Sequence, residues 1–158
     1  MKKLIYILLV SVILYSCKNS TTKKSFNIPA EVKTMYSKYV TAWSNADFST
    51  ITEEIYELPF SLYLKDTTII YNRKEELVSF LTNSFNTLEK NNYGYSITNS
   101  WEHYKKDDNI VVIEMNFTRF LKDSTVMGAK NRTATYVLRK KNDKFKILAM
   151  IPHTPVSE

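Results

Sequence analysis

Residues 110–121 read IVVIEMNFTRFL, and residues 131–151 read NRTATYVLRKKNDKFKILAMI. In the first stretch, apolar side chains occupy every second position from Val111 to Phe117. This period of two is typical of a strand with one buried face. The second stretch holds two apolar runs around the polar residues 141–144, which indicates a hairpin. Together with residues 93–104, the pattern predicts four strands in an antiparallel meander, at 93–104, 110–121, 131–140 and 145–151.

Helical periodicity precedes these strands. After Pro29, which suits a first helical turn, apolar side chains recur three or four residues apart: Val32, Tyr36, Tyr39, Val40 and Trp43. This spacing predicts an amphipathic helix that ends near residues 44–45. Asp47 is a good N-cap for a second, short helix. Asn72, with Glu75 three residues later, predicts a capping box at the start of a third helix.

Two short strands are predicted between the second and third helices. Residues 58–64 alternate apolar and other side chains, and residues 68–71 form a return strand after a polar turn. Pro59 cannot donate a hydrogen bond to a ladder, so we expect its strand at a sheet edge. Helices followed by a run of strands define an α+β domain. The simplest arrangement is a cone-shaped, curved antiparallel sheet around the long third helix, with two helices at the N-terminus.

The first 17 residues have the features of a bacterial lipoprotein leader. Two lysines precede the apolar run 4–14, which is shorter than the ~20 residues of a spanning helix. The run ends in Leu-Tyr-Ser-Cys at 14–17, which resembles a lipobox with cleavage between Ser16 and Cys17. An ordinary secretory signal with a chance cysteine is the alternative. We expect a signal peptide at 1–16, a lipidated Cys17 and flexible tether at 17–27, and a domain at 28–158. Lys18, rather than Asp, follows the cysteine, and by resemblance to known sorting signals this implies an outer-membrane location in the cell envelope.

Composition argues against several classes of function. The net charge is +6, but residues 28–158 carry 17 basic and 16 acidic side chains. The domain is therefore almost neutral, and we expect no nucleic-acid partner. Two glycines do not provide a phosphate-binding loop, and one cysteine with two histidines does not favour a metal site. We expect no cofactor.

The order of elements resembles the nuclear transport factor 2-like superfamily, whose cone fold is shared with ketosteroid isomerases and polyketide cyclase-like proteins. Three stretches carry the resemblance: Ala-Trp-Ser-Asn-Ala-Asp at 42–47, Leu-Pro-Phe at 58–60, and residues 136–147 from Tyr-Val-Leu-Arg to Phe-Lys-Ile. It covers residues 28–153 and implies a cone interior that serves as a site. It does not identify a reaction, because one fold supports many functions. No catalytic residue can be assigned from these stretches.

Arg119 is the most informative candidate site residue. It continues the apolar set of residues 111–117 at period two and therefore points to the same face. A charge on an apolar face needs a partner, so Arg119 either binds an anion in the cone or reaches solvent or a carboxylate such as Asp123. The other candidate pocket residues are Tyr63, Tyr136, His103, Trp43 and Tyr39. His153 is a further residue for the cone mouth or the surface.

Two functions remain open on these residues. The first is a binding domain that holds a small apolar or anionic molecule in the cone, or a protein on its sheet face. The second is a cofactor-independent isomerase, dehydratase or cyclase, which would need ionisable groups converging in the cone.

The outer sheet face mixes apolar residues with Glu114, Asn116 and Thr118. The resemblance implies a homodimer through this face, although a solvated sheet would read the same way.

Overall fold

The computed structural model describes residues 28–105 and 107–153, without the side chain of Lys105. The predicted signal peptide, Cys17 and the tether lie outside the described residues. No helix among the described residues has the length and apolar character to cross a membrane.

Three helices and six strands make up the described domain. Helix α1 (Ala30–Ser44) is followed by the short α2 (Phe48–Thr50), which runs directly into a π-helical turn (Ile51–Ile55). Strands β1 (Tyr56–Tyr63) and β2 (Thr68–Tyr71) precede the long helix α3 (Lys74–Lys90). The chain ends in four strands: β3 (Tyr93–Lys105), β4 (Ile110–Leu121), β5 (Arg132–Lys141) and β6 (Lys144–Pro152). The predicted elements are thus confirmed, with bounds that shift by one or two residues.

The strands form one curved, unclosed sheet in the order β2-β1-β6-β5-β4-β3. The predicted α+β class and the antiparallel meander of β3 to β6 are confirmed. Strand β1 pairs antiparallel with β2 but parallel with β6, so one strand pair of the sheet is parallel. Because β6 lies between β1 and β5, the last strand joins the two parts of the sheet.

The strand with Pro59 is not at the edge of the sheet, and that prediction was wrong. Strand β1 lies between β2 and β6, and β2 is the edge strand. The register of β1 against β6 shifts between Tyr56 and Ser61, and Pro59 falls inside this irregularity. A proline is tolerated there because the ladder needs no hydrogen bond from it.

The capping of two helices follows the predicted chemistry with one shift. The Asp47 side chain accepts a hydrogen bond from the Thr50 amide at 3.0 Å, as expected of an N-cap. At α3, however, the N-cap is Arg73 rather than Asn72, and Glu76 rather than Glu75 completes the capping box. The Glu76 carboxylate accepts from the Arg73 amide at 3.3 Å.

The core lies between the inner face of the sheet and helices α1 and α3. Its fully buried members come from every layer and include Val32, Leu77, Ile113, Leu138 and Ile147. Each such side chain stabilises the fold by roughly 1.5–3 kcal/mol relative to its exposed state. A cavity adjoins this core toward the ends of β3, β4 and β5 that hold Ser96, Arg119 and Arg132.

Gly94 allows the close approach of strands at this end. A Cβ atom at Gly94 would lie 2.7 Å from the Leu121 carbonyl oxygen. The β3–β4 register shifts between Tyr93 and Tyr95, around this glycine. The absent side chain therefore lets β3 begin directly against the end of β4.

Candidate functional site: a cone cavity with two arginines

A cavity of about 500 Å³ lies between helices α1 and α3 and the inner face of β3 to β6. Its walls are mainly apolar and aromatic and include Tyr36, Trp43, Phe80, Leu81 and Met115. Hydroxyl groups from Ser84, Ser96 and Thr98 also line it. Apolar walls with a few polar groups are typical of small-molecule sites of this size.

A group of buried tyrosines forms the part of the wall nearest the core. The hydroxyl groups of Tyr39 and Tyr56 are 2.9 Å apart and hydrogen-bonded to each other. The Tyr136 ring packs edge-on against Tyr39, with centroids 6.2 Å apart. Burial raises the pKa of all three phenols well above the ordinary tyrosine value, and the neighbouring tyrosines add to the effect. The phenols therefore stay neutral at physiological pH and can act as hydrogen-bond donors.

Arg119 reaches the cavity from β4. Directly paired residues of neighbouring strands share a face, and Arg119 pairs with Ser96, which also lines the cavity. Its guanidinium carbon lies 5.6 Å from the centroid of the Phe117 ring. Within the part of the chain that the structure describes, its side chain forms no hydrogen bond and no ion pair. Burial lowers the pKa of Arg119, and repulsion from Arg132 lowers it further.

Arg132 is a second cationic group of the same cavity. It begins β5, pairs with the inward-facing Phe117, and lines the cavity with Arg119. One terminal nitrogen, Nη2, donates a hydrogen bond to the Met127 carbonyl oxygen at 3.1 Å. Its Nε atom is buried and has no hydrogen-bond partner among the described residues. An unpartnered buried donor is costly and rare in native structures.

Gly128 makes room for the Arg132 guanidinium. A Cβ atom at this position would lie 2.9 Å from Nη2 of Arg132. Gly128 also has φ of 69°, a conformation that other residues rarely adopt. The β4–β5 loop is thus built to pass closely over Arg132.

No carboxylate offsets these two charges among the described residues that line the cavity. Asp123, the alternative partner predicted for Arg119, accepts hydrogen bonds from the Thr125 amide at 3.0 Å and hydroxyl at 2.7 Å instead. Of the two alternatives for Arg119, the structure therefore favours the cone interior over pairing with Asp123.

Glu57 shows how a buried charge is compensated elsewhere in the molecule. It is only 6% exposed and lines a separate cleft at the other end of the sheet. Arg139 Nη2 lies 3.1 Å and Lys141 Nζ 3.0 Å from its carboxylate. Burial alone would raise the pKa of Glu57, but hydrogen bonds from both cations outweigh burial and hold the pKa below its ordinary value. This compensated cluster contrasts with the cavity arginines.

The predicted site residues divide into two groups. Tyr39, Trp43, Arg119 and Tyr136 line the cavity. Tyr63 does not reach it and is 45% exposed on β1.

The two histidines also lie in different places. His103 pairs with the buried Ile113 on the inner face, and both of its ring nitrogens are buried without a partner among the described residues. It is not among the cavity residues. His153 lines the cavity mouth, where its Nε2 lies 2.8 Å from the Thr135 hydroxyl.

Arg132 was missed as a site residue by the sequence analysis. The signal was present, because Arg132 precedes Ala134, Tyr136 and Leu138 at period two. It shares the alternation that singled out Arg119.

Within residues 28–105 and 107–153, no three His, Cys, Asp or Glu side chains lie together as metal ligands would.

Comparison with protein families gives one match over most of the chain. The family model described as "NTF2-like protein (DUF6841)" matches residues 30–155. No curated protein matches the chain.

Solved structures share the fold at low sequence identity. The protein Aln2 from a Streptomyces species is 11% identical with a TM-score of 0.64, covering 81% of this chain and 93% of that one. An NTF2-like protein from Cytophaga hutchinsonii is 13% identical with a TM-score of 0.59, covering 83% of this chain and 100% of that one. A domain of unknown function with a cystatin-like fold from Nostoc punctiforme is 11% identical with a TM-score of 0.62, covering 83% of this chain and 81% of that one. At these identities the likeness extends to the fold alone.

Proposed function

This chain belongs to the NTF2-like protein family DUF6841, and we propose that it binds a small, mainly apolar molecule in the cone of that fold. The observation that carries the proposal is the cavity of about 500 Å³ between α1, α3 and the sheet. Protein interiors are normally packed to crystal-like density. An open, apolar space of this size inside a small domain is therefore characteristic of a binding site.

Filling the cavity tests this proposal. Ala134 lines the cavity and is 3% exposed, so Ala134→Leu adds apolar volume inside it. Thr34→Leu adds apolar volume on the exposed face of α1 and serves as the matched control. Decanol binding, measured by calorimetry and by quenching of tryptophan fluorescence, should weaken at least tenfold in Ala134→Leu and stay unchanged in Thr34→Leu. Equal binding by both variants would contradict a site in the cone.

Catalysis is the second candidate, and the tyrosine group favours it. Protonated phenols beside an apolar cavity can stabilise negative charge that develops on a substrate oxygen. A proton-transfer reaction also needs a base, and His153 is the one histidine among the described lining residues. Exchange of α-protons of a cyclic ketone in deuterated water, followed by NMR, tests this candidate. A wild-type rate equal to that of Tyr136→Phe would rule out Tyr136 as the catalytic phenol.

We further propose that a lipid on Cys17 holds the domain at a membrane of the cell envelope. The support is the leader sequence, in which the chain's single cysteine falls at the end of a lipobox-like tetrapeptide. Two or more acyl chains anchor a protein stably, since each buried CH₂ contributes about 0.8 kcal/mol. Cys17→Ser should release the protein from the membrane fraction or block its processing. Unchanged membrane partition and unchanged mass would refute the anchor.

The outer sheet face supports a further proposal, a dimer of two copies of this chain. Ile97 and Tyr104 of β3 are 46% and 53% exposed on this face, and Ile151 of β6 is 38% exposed. The face also carries the paired Glu102 and Glu114 on β3 and β4. The basic pair Arg139 and Lys146 lies on β5 and β6. A two-fold arrangement can set these opposite charges against each other. Light scattering should give a dimer mass that Ile97→Lys converts to a monomer mass, and a wild-type monomer at high concentration would exclude it.

A further inference from the structure

We infer that the ligand is an amphipathic monocarboxylate, with its carboxylate held between Arg119 and Arg132 and its apolar body lying along α1 and α3. This inference rests on the proposed binding function and adds the chemical class of the ligand.

The strand register brings the two arginines to one end of the cavity. Arg132 pairs directly with Phe117, and Arg119 follows Phe117 by two residues on the same face of β4. The two arginines are therefore diagonal neighbours on adjacent strands, a distance that long side chains span. Both line the cavity.

Most N–H groups of the two arginines are free to donate hydrogen bonds to an oxyanion. Arg119 has no hydrogen bond or ion pair among the described residues, so all five of its N–H groups are available. Arg132 uses Nη2 for the Met127 carbonyl, but its buried Nε has no partner in the same part of the chain. A guanidinium presents parallel N–H groups that match the two oxygens of a carboxylate.

The charge balance favours one negative charge. Two guanidinium groups contribute two positive charges to a cavity whose described lining contains no Asp or Glu. The last turns of α1, at Trp43 and Ser44, and of α3, at Thr87 and Leu88, also line it. The C-terminus of a helix carries partial negative charge, which offsets part of the arginine charge. The positive charge that remains favours a bound anion such as a monocarboxylate.

The rest of the cavity fits an apolar body. Its remaining walls include Val40, Phe80, Leu81 and Met150. Aromatic and aliphatic walls favour hydrocarbon over polar groups, at roughly 25 cal/mol per Å² of apolar surface removed from water. A ligand with a charged head and an apolar body therefore complements both ends.

Four probes with the same ten-carbon chain separate the contributions of charge and hydrocarbon: decanoate, decanol, decyl phosphate and decylammonium. Each is titrated into the purified full chain by calorimetry. We expect decanoate to bind at least tenfold more tightly than decanol, since hydrogen bonds to charged groups correspond to roughly a tenfold to hundredfold gain in affinity. Decylammonium should bind more weakly than decanol.

Variants locate the charge effect. Arg119→Met and Arg132→Met should each lower the ratio of decanoate affinity to decanol affinity at least tenfold. The decanol affinity itself should stay unchanged. Lys33→Met removes one positive charge from the exposed face of α1 and should change neither affinity. Arg119→Lys keeps the charge without the paired N–H groups, and we expect an intermediate loss. It also serves if Arg119→Met does not fold, as judged by circular dichroism.

The outcomes distinguish this inference from the binding function. Equal affinities of wild type for decanoate and decanol would overturn the inference and leave the binding function intact. The same holds if the decanoate advantage survives in both methionine variants. If decyl phosphate binds more than tenfold more tightly than decanoate, the inferred carboxylate head group is wrong and the site prefers a phosphate head group. If no probe binds, both the inference and the proposed function are wrong.

Discussion

Replacing Arg119 with methionine should make the ligand-free protein more stable, which is the opposite of what removing a structural arginine does. Arg119 is half-buried, has no hydrogen bond or ion pair among the described residues, and repels Arg132. Methionine keeps a long apolar side chain at the position and removes the charge. The variant therefore tests whether the arginine is kept for a ligand rather than for the fold.

The size of the effect follows from the contacts that would be lost. The contact of Arg119 with the Phe117 ring, at 5.6 Å, contributes about 0.5–1 kcal/mol to stability. Burying an uncompensated ion costs several kcal/mol, and the partial exposure of Arg119 reduces that cost to about 2–3 kcal/mol. The difference predicts that Arg119→Met raises the free energy of unfolding by about 1–2.5 kcal/mol. In a domain of this size, that corresponds to a rise in Tm of roughly 4–12 °C.

Urea denaturation of the purified full chain, followed by tryptophan fluorescence and circular dichroism, measures this difference. The exposed control Lys33→Met should stay within about 0.5 kcal/mol of wild type. Adding decanoate should stabilise wild type more than Arg119→Met, because the stabilisation by a ligand grows with its affinity for the folded state. A loss of more than about 1 kcal/mol in Arg119→Met without ligand would refute the reasoning and make Arg119 a structural residue.

Three further variants test interactions of the fold in the same denaturation assay. Glu57→Gln should lower the free energy of unfolding by about 2 kcal/mol near neutral pH, because it leaves two cations without their buried partner. Since the folded-state pKa of Glu57 is lowered, the wild-type advantage should fade as the pH falls from the ordinary value of 4.5 through that lower pKa; a pH-independent difference would contradict this. Gly94→Ala should cost about 1–3 kcal/mol, because its Cβ atom would lie 2.7 Å from the Leu121 carbonyl oxygen. Tyr39→Phe should cost about 1 kcal/mol through loss of the 2.9 Å hydrogen bond to Tyr56, and a stability equal to wild type would count against that bond.

The strands of the meander were predicted from sequence because their signal is local. The alternation from Val111 to Phe117 identifies a strand and its buried face without any knowledge of its neighbours. Strand β4 accordingly has the predicted bounds, and β3, β5 and β6 differ by one residue at one or both ends. The same reasoning identified α1 and the Asp47 cap, since both depend on contacts within one helical turn.

Predictions that depended on the position of a strand in the sheet were less reliable. The edge position assigned to the strand of Pro59 was wrong, because a register irregularity accommodates a proline as well as an edge does. The capping box lies one residue later than predicted. Glu75 and Glu76 are both acidic, so the sequence allows either of them to be the third residue of the helix. Neither choice can be made from the local pattern alone.

The cavity itself was only partly predictable. Alternation along β4 assigned Arg119 to the inner face, and the same rule applied to β5 would have found Arg132. Whether these side chains would meet carboxylates depended on where Asp123 and the other acids came to lie. Tyr63 and His103 carried signals of the same kind, yet they lie away from the cavity.

The amino-acid sequence by itself determined the helices and strands, the face on which each apolar residue lies, and the inward direction of Arg119, since these follow from the period of the backbone and nearest-neighbour contacts. Only the tertiary structure decided that β6 also pairs with β1, that Arg119 and Arg132 share one cavity, and that no carboxylate lines it among the described residues. The physical reason is that a cavity is the volume left when separate elements pack. Its size and its charge depend on distances between elements that no periodicity within one element specifies.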